Sequence, residues 1–423
     1  MLLTEYRLDL VIQALRTALK MDHPADAVLR HFFQNERVGS NERALIAETV
    51  FGVLRHRLFL EHACTLDEKG QPTPRRMALS YWVKFGGYNL RELTPLLKAT
   101  ESEWLVKAKS LQAAELPLSI QAELPEWIIE KLRVQYNDAD ILSLGQSMQQ
   151  SAPLDLRVNT LLANRDEILQ GLQAEKVEAS ATPYSPVGLR VKGKPALNKS
   201  PLFDAGKFEV QDEGSQLLSF LLAPKRNDMV VDFCAGAGGK TLALGALMNS
   251  QGRLYAWDVS EKRLANLKPR LARSGLSNVQ PQLIAHENDS KVKRLAGKID
   301  RVLVDAPCSG LGTLRRNPDL KFRQSAQSVA ELNQKQRAIL AAAGKLVKAG
   351  GRLVYATCSV LQEENQNIVQ EFLANHPDFT LQPAGEVLAQ QKIALAMGDY
   401  LQLTPQQHNT DGFFAAVLER KAS

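Results

Sequence analysis

Two cysteines of the chain sit where a thiol can do chemistry. The stretch "RVLVDAPCSGLGTLRRNPDLK", Arg301 to Lys321, ends an apolar run at Asp305 and reaches Cys308 three residues later. Fifty positions on, "GGRLVYATCSV" repeats the arrangement, with Cys358 between Thr357 and Ser359. A buried free cysteine ordinarily behaves as a small hydrophobe, which suits Cys64 and Cys234. It suits Cys308 and Cys358 poorly, because both lie past an apolar run in Ser-, Gly- and Thr-rich turns. The reaction that calls for a thiolate beside a methyl donor is methylation of an aromatic carbon. Cytosine C5 is too weak a nucleophile to attack a sulfonium methyl unaided. Addition of a thiolate to C6 makes the ring an enamine, and covalent catalysis of this kind splits one hard step into easier ones. A thiol of ordinary pKa, near 8.5, is only a few per cent ionised at neutral pH, so the site must favour the thiolate. Helix N-termini beyond the strands, or Lys240, would do that. Asp305 can hold the base at N3 and N4, and a second thiol can assist release. Attack at C6 needs the base out of its stack, at a cost of roughly a few kcal/mol in a duplex.

The methyl donor needs a cradle, and "DFCAGAGGKT", Asp232 to Thr241, is the candidate. It follows an apolar run and opens a helical segment, so its glycines allow close approach with the helix N-terminus aimed at the ligand. Three ligand classes compete. A dinucleotide site wants a third glycine where Thr241 stands. A nucleoside triphosphate site wants GxxxxGK[ST]; Gly239, Lys240 and Thr241 fit, but Cys234 occupies the first glycine position. "RVLVD" would pass for its magnesium-holding strand, so an RNA-binding P-loop ATPase or assembly factor is the rival from another class. S-adenosylmethionine carries no phosphates and needs close approach without a complete anion cradle. Its ribose would be gripped by an acid ending the next strand. Asp258, twenty-two residues beyond Gly236, is that acid, with capping of the following helix as the plain alternative. Asp289, in "HENDSKV", either accepts from the adenine amine or caps a helix. No Cys or His cluster has metal-ligand spacing, so no metal is expected.

The elements that must position these groups read as follows. From Met229 on, "MVVDFC", "GRLYAWD", "VQPQLIA", "RVLVDA" and "GGRLVYATCS" alternate with helical segments. That alternation implies a parallel sheet covered on both faces, with ligands at the carboxyl ends of its strands. The first, fourth and fifth strands of such a sheet are adjacent, so both thiols should open into the crevice of the glycine loop. "GFFAAVLER" near the end reads as an antiparallel edge strand. Residues 1–115 read as a helical bundle: "SNERALIAETVFGVLRHR" offers Ser40 and Asn41 as caps and Ile46, Val50, Val53 and Leu54 as one buried stripe. "TEYRLDLVIQALRTALKM" and "NLRELTPLLKATESEWLVKAKSL" are helical too, and "EKGQPTPRR" is a loop. Residues 116–220 read as a linker and small α/β module, with strands at "LDLRVNTL" and "GLRVKG" around the helix "RDEILQGLQAEK". Residues 221–423 form the third domain. The 423 residues are 44% hydrophobic and 23% charged, the composition of an ordinary globular chain with ample core. No apolar run approaches the roughly eighteen residues of a membrane span, and no signal-peptide layout opens the sequence. Four scattered cysteines fit a reducing cytoplasm. A net charge of +6 leans weakly toward an anionic partner such as RNA. "LRRNPDLKFR" places Arg315, Arg316, Lys321 and Arg323 beside Cys308 as a phosphate-contacting loop. Phe413 and Phe414 read as strand core and His408 as a loop hydrogen-bonding group.

Six motifs, in order, resemble the bacterial ribosomal RNA (cytosine-5)-methyltransferases of the RsmB/Nop2/Sun type from about Leu154 to Lys421. They are "LDLRVNT", "VQDEGSQL", "DFCAGAGGKT", "DAPCSGLGTLRRNPDLK", "YATCSVLQEEN" and "HNTDGFFAAVLERK". The helical N-terminus is similar to a NusB-type RNA-binding domain, and the middle module to the family's RNA-recognition-like insertion. The resemblance implies a class I, Rossmann-like methyltransferase core that uses S-adenosylmethionine to methylate cytosine C5 in small-subunit ribosomal RNA, as a cytoplasmic monomer with no membrane partner. It implies that Cys358 is the nucleophile and that Cys308 helps release product, with Asp305 on the base and Lys240 near the reacting groups. DNA cytosine methyltransferases attack with a Pro-Cys thiol, so spacing alone would favour Cys308 instead. Cys234, Ala235, Gly236, Ala237, Gly238, Gly239, Lys240, Asp258, Arg263, Asp289 and Asp305 are the implied cofactor set. Arg157 and Asn159 are implied on the RNA side. Ala237 stands where many members have proline, which should loosen the turn slightly.

Overall fold

The computed structural model describes residues 2–67 and 70–422, which form two compact units. One comprises 1–151 with 313–326, the other 152–312 with 327–423. The small α/β module is thus in the same compact unit as the larger sheet.

The first unit is helical. Glu5–Ala18 starts on the side chain of Thr4, and Ser40–Arg55 buries Ile46, Val50, Val53 and Leu54 on one stripe. Neither Ser40 nor Asn41 caps that helix. It begins one residue earlier than read, with Gly39 at the N-cap and no side-chain hydrogen bond. "NLRELTPLLKATESEWLVKAKSL" is broken into Leu90–Leu93, a single 3₁₀ turn Thr94–Leu96 and Ser102–Ser110, since Pro95 has no N–H to continue the first helix. The loop read at "EKGQPTPRR" is shorter than expected. Thr73 caps and Pro74 opens the helix Pro74–Lys84, while Glu68 and Lys69 lie outside the described residues. Cys64 is fully buried, and burial pushes its thiol up to about 12.

The second unit holds two sheets. The strands β1 (Leu154–Val158), β2 (Ala179–Ala181), β3 (Gly188–Val191) and β4 (Phe208–Val210) pair antiparallel in the order β2-β3-β1-β4. The helix Arg165–Ala174 packs on them, its entry fixed by a capping box of Asn164 and Glu167. The larger sheet is built from β5 (Met229–Asp232), β6 (Arg253–Asp258), β7 (Val279–Leu283), β8 (Ile299–Asp305), β9 (Val347–Thr357), β10 (Phe379–Gln382), β11 (Tyr400–Leu403) and β12 (Phe413–Arg420). Its order is β10-β12-β9-β8-β5-β6-β7, with β11 also on β12. The strands β5 to β9 are mutually parallel, and β12 returns antiparallel on β9. This is a Rossmann-like methyltransferase fold. Both faces are covered: Val231, Val302 and Val304 enter one core, Val230 and Leu303 the other. The strand β12 is not the edge strand its terminal position suggested. It is flanked by β9 on one side and by β10 and β11 on the other, and Phe414 to Leu418 are buried. No helix among the described residues is long and apolar enough to cross a membrane.

Candidate active site

The chain reverses direction across the sheet between β5 and β8, and a crevice opens at such a switch point. It is a cavity of about 770 Å³ lined by the carboxyl ends of β5, β6, β8 and β9. Gly236 in the loop after β5 has φ +57, and a Cβ added there would meet nothing within 4 Å, so its bare backbone faces open space. Gly238 is glycine for another reason: at φ +84, an added Cβ would lie 2.1 Å from Leu267. It packs against the helix Glu261–Ser274 and does not line the cavity.

Asp258 ends β6 and fastens the loop. One carboxylate oxygen accepts from Gly236 N at 2.8 Å, the other from Ser260 N at 2.7 Å. It does not cap the following helix, whose N-cap is Ser260. Asp289 is the reverse case. Its two oxygens accept from Ala285 N (2.8 Å) and Lys291 N (2.9 Å), it caps Ser290–Arg294, and it is absent from the cavity wall. Those backbone donors hold its carboxyl below the usual range. The acid that does line the cavity from this loop is Glu287. Arg263, Val259 and Ile284 complete that side.

On the opposite wall Lys240 Nζ meets Asp305 Oδ2 at 2.7 Å. Burial alone would lower the ammonium, but the Asp305 charge and hydrogen bond outweigh it and Lys240 stays protonated. Thr241 is fully buried and donates to Asp232 Oδ2 at 2.7 Å. Burial raises Asp232 to about 7, against the pull of that hydroxyl, and its Oδ1 is buried without a partner. The lysine and threonine of "GGKT" are therefore committed to acids, which disfavours a polyphosphate ligand.

The two thiols converge beside this pair, with Cys308 Sγ 3.4 Å from Cys358 Sγ. The registers of β5 on β8 and of β8 on β9 bring Asp232, Asp305 and Cys358 to one end of the sheet. Ala306 N donates to Ala356 O and Gly312 N to Cys358 O, stitching the two turns together. The Cys308 thiol is pushed well above the ordinary range, first by the hydrogen bond shared with Cys358, then by burial. Cys234 also lines the cavity, and burial raises its thiol.

The residues expected to face RNA are placed otherwise. Arg157 is buried, donating to Gln211 and to Gly239 O, and Asn159 donates to Gly206 O and Ser274 O at 2.9 Å. Both join the small sheet to the glycine loop and its neighbouring helix, with no surface left for a phosphate. Arg315 and Lys321 are each 3% exposed within the helical unit, Arg316 is half-buried, and Lys321 pairs with Glu123. Missing from the sequence reading were Glu287, Glu364 and Arg270, whose guanidinium donates to Ala237 O at 2.7 Å. Glu364 had a signal, six residues after Cys358 in "TCSVLQEEN"; the other two had none. His408 accepts from Thr404 N, a loop bond as read.

Residues 219–419 match the family model described as 16S rRNA methyltransferase RsmB/F, and 124–198 match the ferredoxin-like domain of RsmF/B-like methyltransferases. The chain is 32% identical to the probable ribosomal RNA small subunit methyltransferase B of Synechocystis sp., over 96% of this chain and 97% of that one. It is 31% identical to the ribosomal RNA small subunit methyltransferase B of Sodalis glossinidius, over 90% of each. Among solved structures, PH0851 superposes with a TM-score of 0.78 at 26% identity over 99% of this chain and 100% of that one. NSun6 from Pyrococcus horikoshii with SFG gives 0.63 at 21% identity, over 71% of this chain and 99% of that one, a likeness of fold.

Proposed function

The chain belongs to the RsmB/F family of ribosomal RNA small subunit methyltransferases, and from that premise we propose that it methylates C5 of cytosine in small-subunit ribosomal RNA through a covalent adduct on Cys358. The observation that carries this reading is the pair of thiols 3.4 Å apart beside the 2.7 Å Lys240–Asp305 pair, on the wall of one cavity. The cavity fits S-adenosylmethionine. Its volume is that of an ordinary ligand pocket, about 300–1,000 Å³. Its lining carries the acids Asp232, Asp258, Glu287 and Asp305, which suit a cationic ligand with ribose hydroxyls. Gly236 would let the ligand approach, Asp258 would hold the ribose and Glu287 the adenine amine. When bound, the cofactor supplies an electrophilic methyl group.

The chain's own residues do the rest. Cys358, as thiolate, adds to C6 of a cytosine turned out of its stack, and the C5–C6 electron pair is released toward C5. The charge of a Cys358 thiolate helps keep Lys240 protonated. Asp305 positions the base by its N3 and N4 edge. After C5 is methylated, a base takes the C5 proton, the freed electron pair re-forms the C5–C6 double bond and the Cys358 sulfur leaves as thiolate, with Cys308 the group beside the departing atom.

Cys358→Ala should abolish methylation, and Cys308→Ala should accumulate a protein–RNA adduct stable to denaturing electrophoresis. Adduct formation by Cys358→Ala would reverse the two roles. Bisulfite mapping of small-subunit RNA with and without the gene should reveal one protected cytosine. S-adenosylhomocysteine should raise the unfolding midpoint, while ATP with magnesium should not.

A further inference from the structure

Each catalytic cysteine is followed by a serine, and the reaction as described uses neither hydroxyl. Ser309 and Ser359 are both buried, with their Oγ atoms 3.2 Å apart. Both donate to one side chain. Glu364 is fully buried, and its Oε2 accepts from Ser309 Oγ at 2.5 Å and from Ser359 Oγ. Its Oε1 accepts from Ser309 N at 2.8 Å and from Gln336 Nε2 at 3.0 Å. The four donors match the lone-pair capacity of a carboxylate. Gln336 also donates to Pro307 O at 3.0 Å, on the other side of Cys308. The turn that carries Glu364 is itself tied back. Tyr355 of β9 donates to Glu364 O at 2.7 Å, and Asn365 bonds Thr357 and Ser359 O.

We propose that Glu364 is a positioning residue, a shared acceptor that locks the turns after β8 and β9 together and so sets the separation of the attacking and releasing thiols. The proposal rests on the roles of Cys358 and Cys308 given above. The two turns come from different strands, and they are joined by Ala306 N to Ala356 O, Gly312 N to Cys358 O, the serine pair, the thiol pair and Glu364. Glu364 takes a backbone and a hydroxyl donor from the first turn and a hydroxyl donor from the second. A shift of about 1 Å in a reacting group can cost on the order of a hundredfold in rate, so a shared anchor is what a two-thiol reaction needs. The same carboxylate also acts on the Cys308 thiol. The raised Cys308 thiol owes its shift first to the hydrogen bond with Cys358, then to burial and the Cys358 charge, and then to the charge of Glu364. Glu364 therefore helps keep Cys308 protonated.

The test uses the full-length protein, wild type against Glu364→Ala, Glu364→Gln and the double variant Ser309→Ala/Ser359→Ala. Diamide takes two hydrogen atoms from the two thiols and is reduced to its hydrazine as one S–S bond forms. The rate of Cys308–Cys358 closure, read by peptide mass spectrometry, therefore reports how the thiols are held. Closure should slow at least tenfold in Glu364→Ala and in the double-serine variant, with Glu364→Gln between them and wild type. Methyl-transfer kcat should fall at least thirtyfold in Glu364→Ala while KM for S-adenosylmethionine stays within twofold. A folded Glu364→Ala protein that closes the disulfide at the wild-type rate overturns the proposal. So does slowed closure with unchanged kcat. If Glu364→Ala does not fold, the double-serine variant is judged by the same two readings. Absence of an RNA adduct in Cys308→Ala would count against the reaction as assigned, while disulfide closure still judges Glu364.

Discussion

Replacing Lys321 by methionine separates a buried anchor from a phosphate contact. Lys321 Nζ donates to Arg55 O at 2.9 Å, to Glu123 O at 2.7 Å and to Glu123 Oε2 at 3.3 Å. Arg55 ends one helix, and the Glu123 carboxylate accepts from Leu58 N and Phe59 N at the start of the next. The ammonium thus sits at a helix C-terminus and the carboxylate at a helix N-terminus, each at its favourable pole. Burial nevertheless dominates both partners, raising Glu123 and lowering Lys321 against their mutual attraction. Desolvation on that scale means the pair gains little over an apolar substitute, while removal of one partner strands the other. Losing one member of a buried pair costs about 3–5 kcal/mol. Glu123 keeps its two N–H donors and the methionine stem refills the space, so about 3 kcal/mol is expected for Lys321→Met. Lys321→Met with Glu123→Gln should cost less than the sum of the single variants, by about 2 kcal/mol. Urea unfolding followed by tryptophan fluorescence reads this, because Trp82, Trp104 and Trp127 are in the helical unit. The salt dependence of RNA affinity should be unchanged for any Lys321 variant that remains folded. A variant of wild-type stability whose logarithmic salt slope falls by about 0.9, one phosphate contact, would refute the argument.

Three further outcomes follow from the same coordinates. Glu287→Gln should weaken S-adenosylhomocysteine binding about tenfold and Asp289→Ala less than threefold, by calorimetry, because only Glu287 lines the cavity. Arg157→Ala should raise the cofactor Kd several-fold through the loosened Gly239 carbonyl, with no change in the salt slope of RNA binding. Burial, then the charges of Lys321 and Arg55, push His56 from 6.5 to about 3, where it stacks 3.9 Å from Phe85. The ring is neutral in the fold and charged in the unfolded chain below pH 6.5, so its contribution is complete above that pH and lost as pH falls toward 3. The loss is at most roughly 4 kcal/mol after allowance for partial exposure, and His56→Phe should flatten this acid limb in a urea titration.

The alternation of strands and helices from Met229 onward determined the parallel sheet, because fully covered strands must be apolar on both faces and each crossover must be helical. That pattern also places Asp232, Asp258, Asp305, Cys308 and Cys358 at the ligand edge. Their positions at that edge are local consequences of a strand ending in a turn. Other assignments depended on partners that no spacing announces. Lys321 was read as a phosphate contact because charged side chains are seldom buried without a partner, and its partner Glu123 is 198 residues away. Arg157 and Asn159 met the same fate through Gly239 and Ser274. Glu287 and Asp289, two positions apart in one polar segment, differ only in which way the loop turns them. The strand β12 became internal because β10 and β11, too short to read with assurance, pair on its far side. Glu364 gains its donors only where two turns distant in the chain close over it. Sequence period reports whether a face is covered; only tertiary structure says by what, because the free energy of a buried charge is set by the group opposite it.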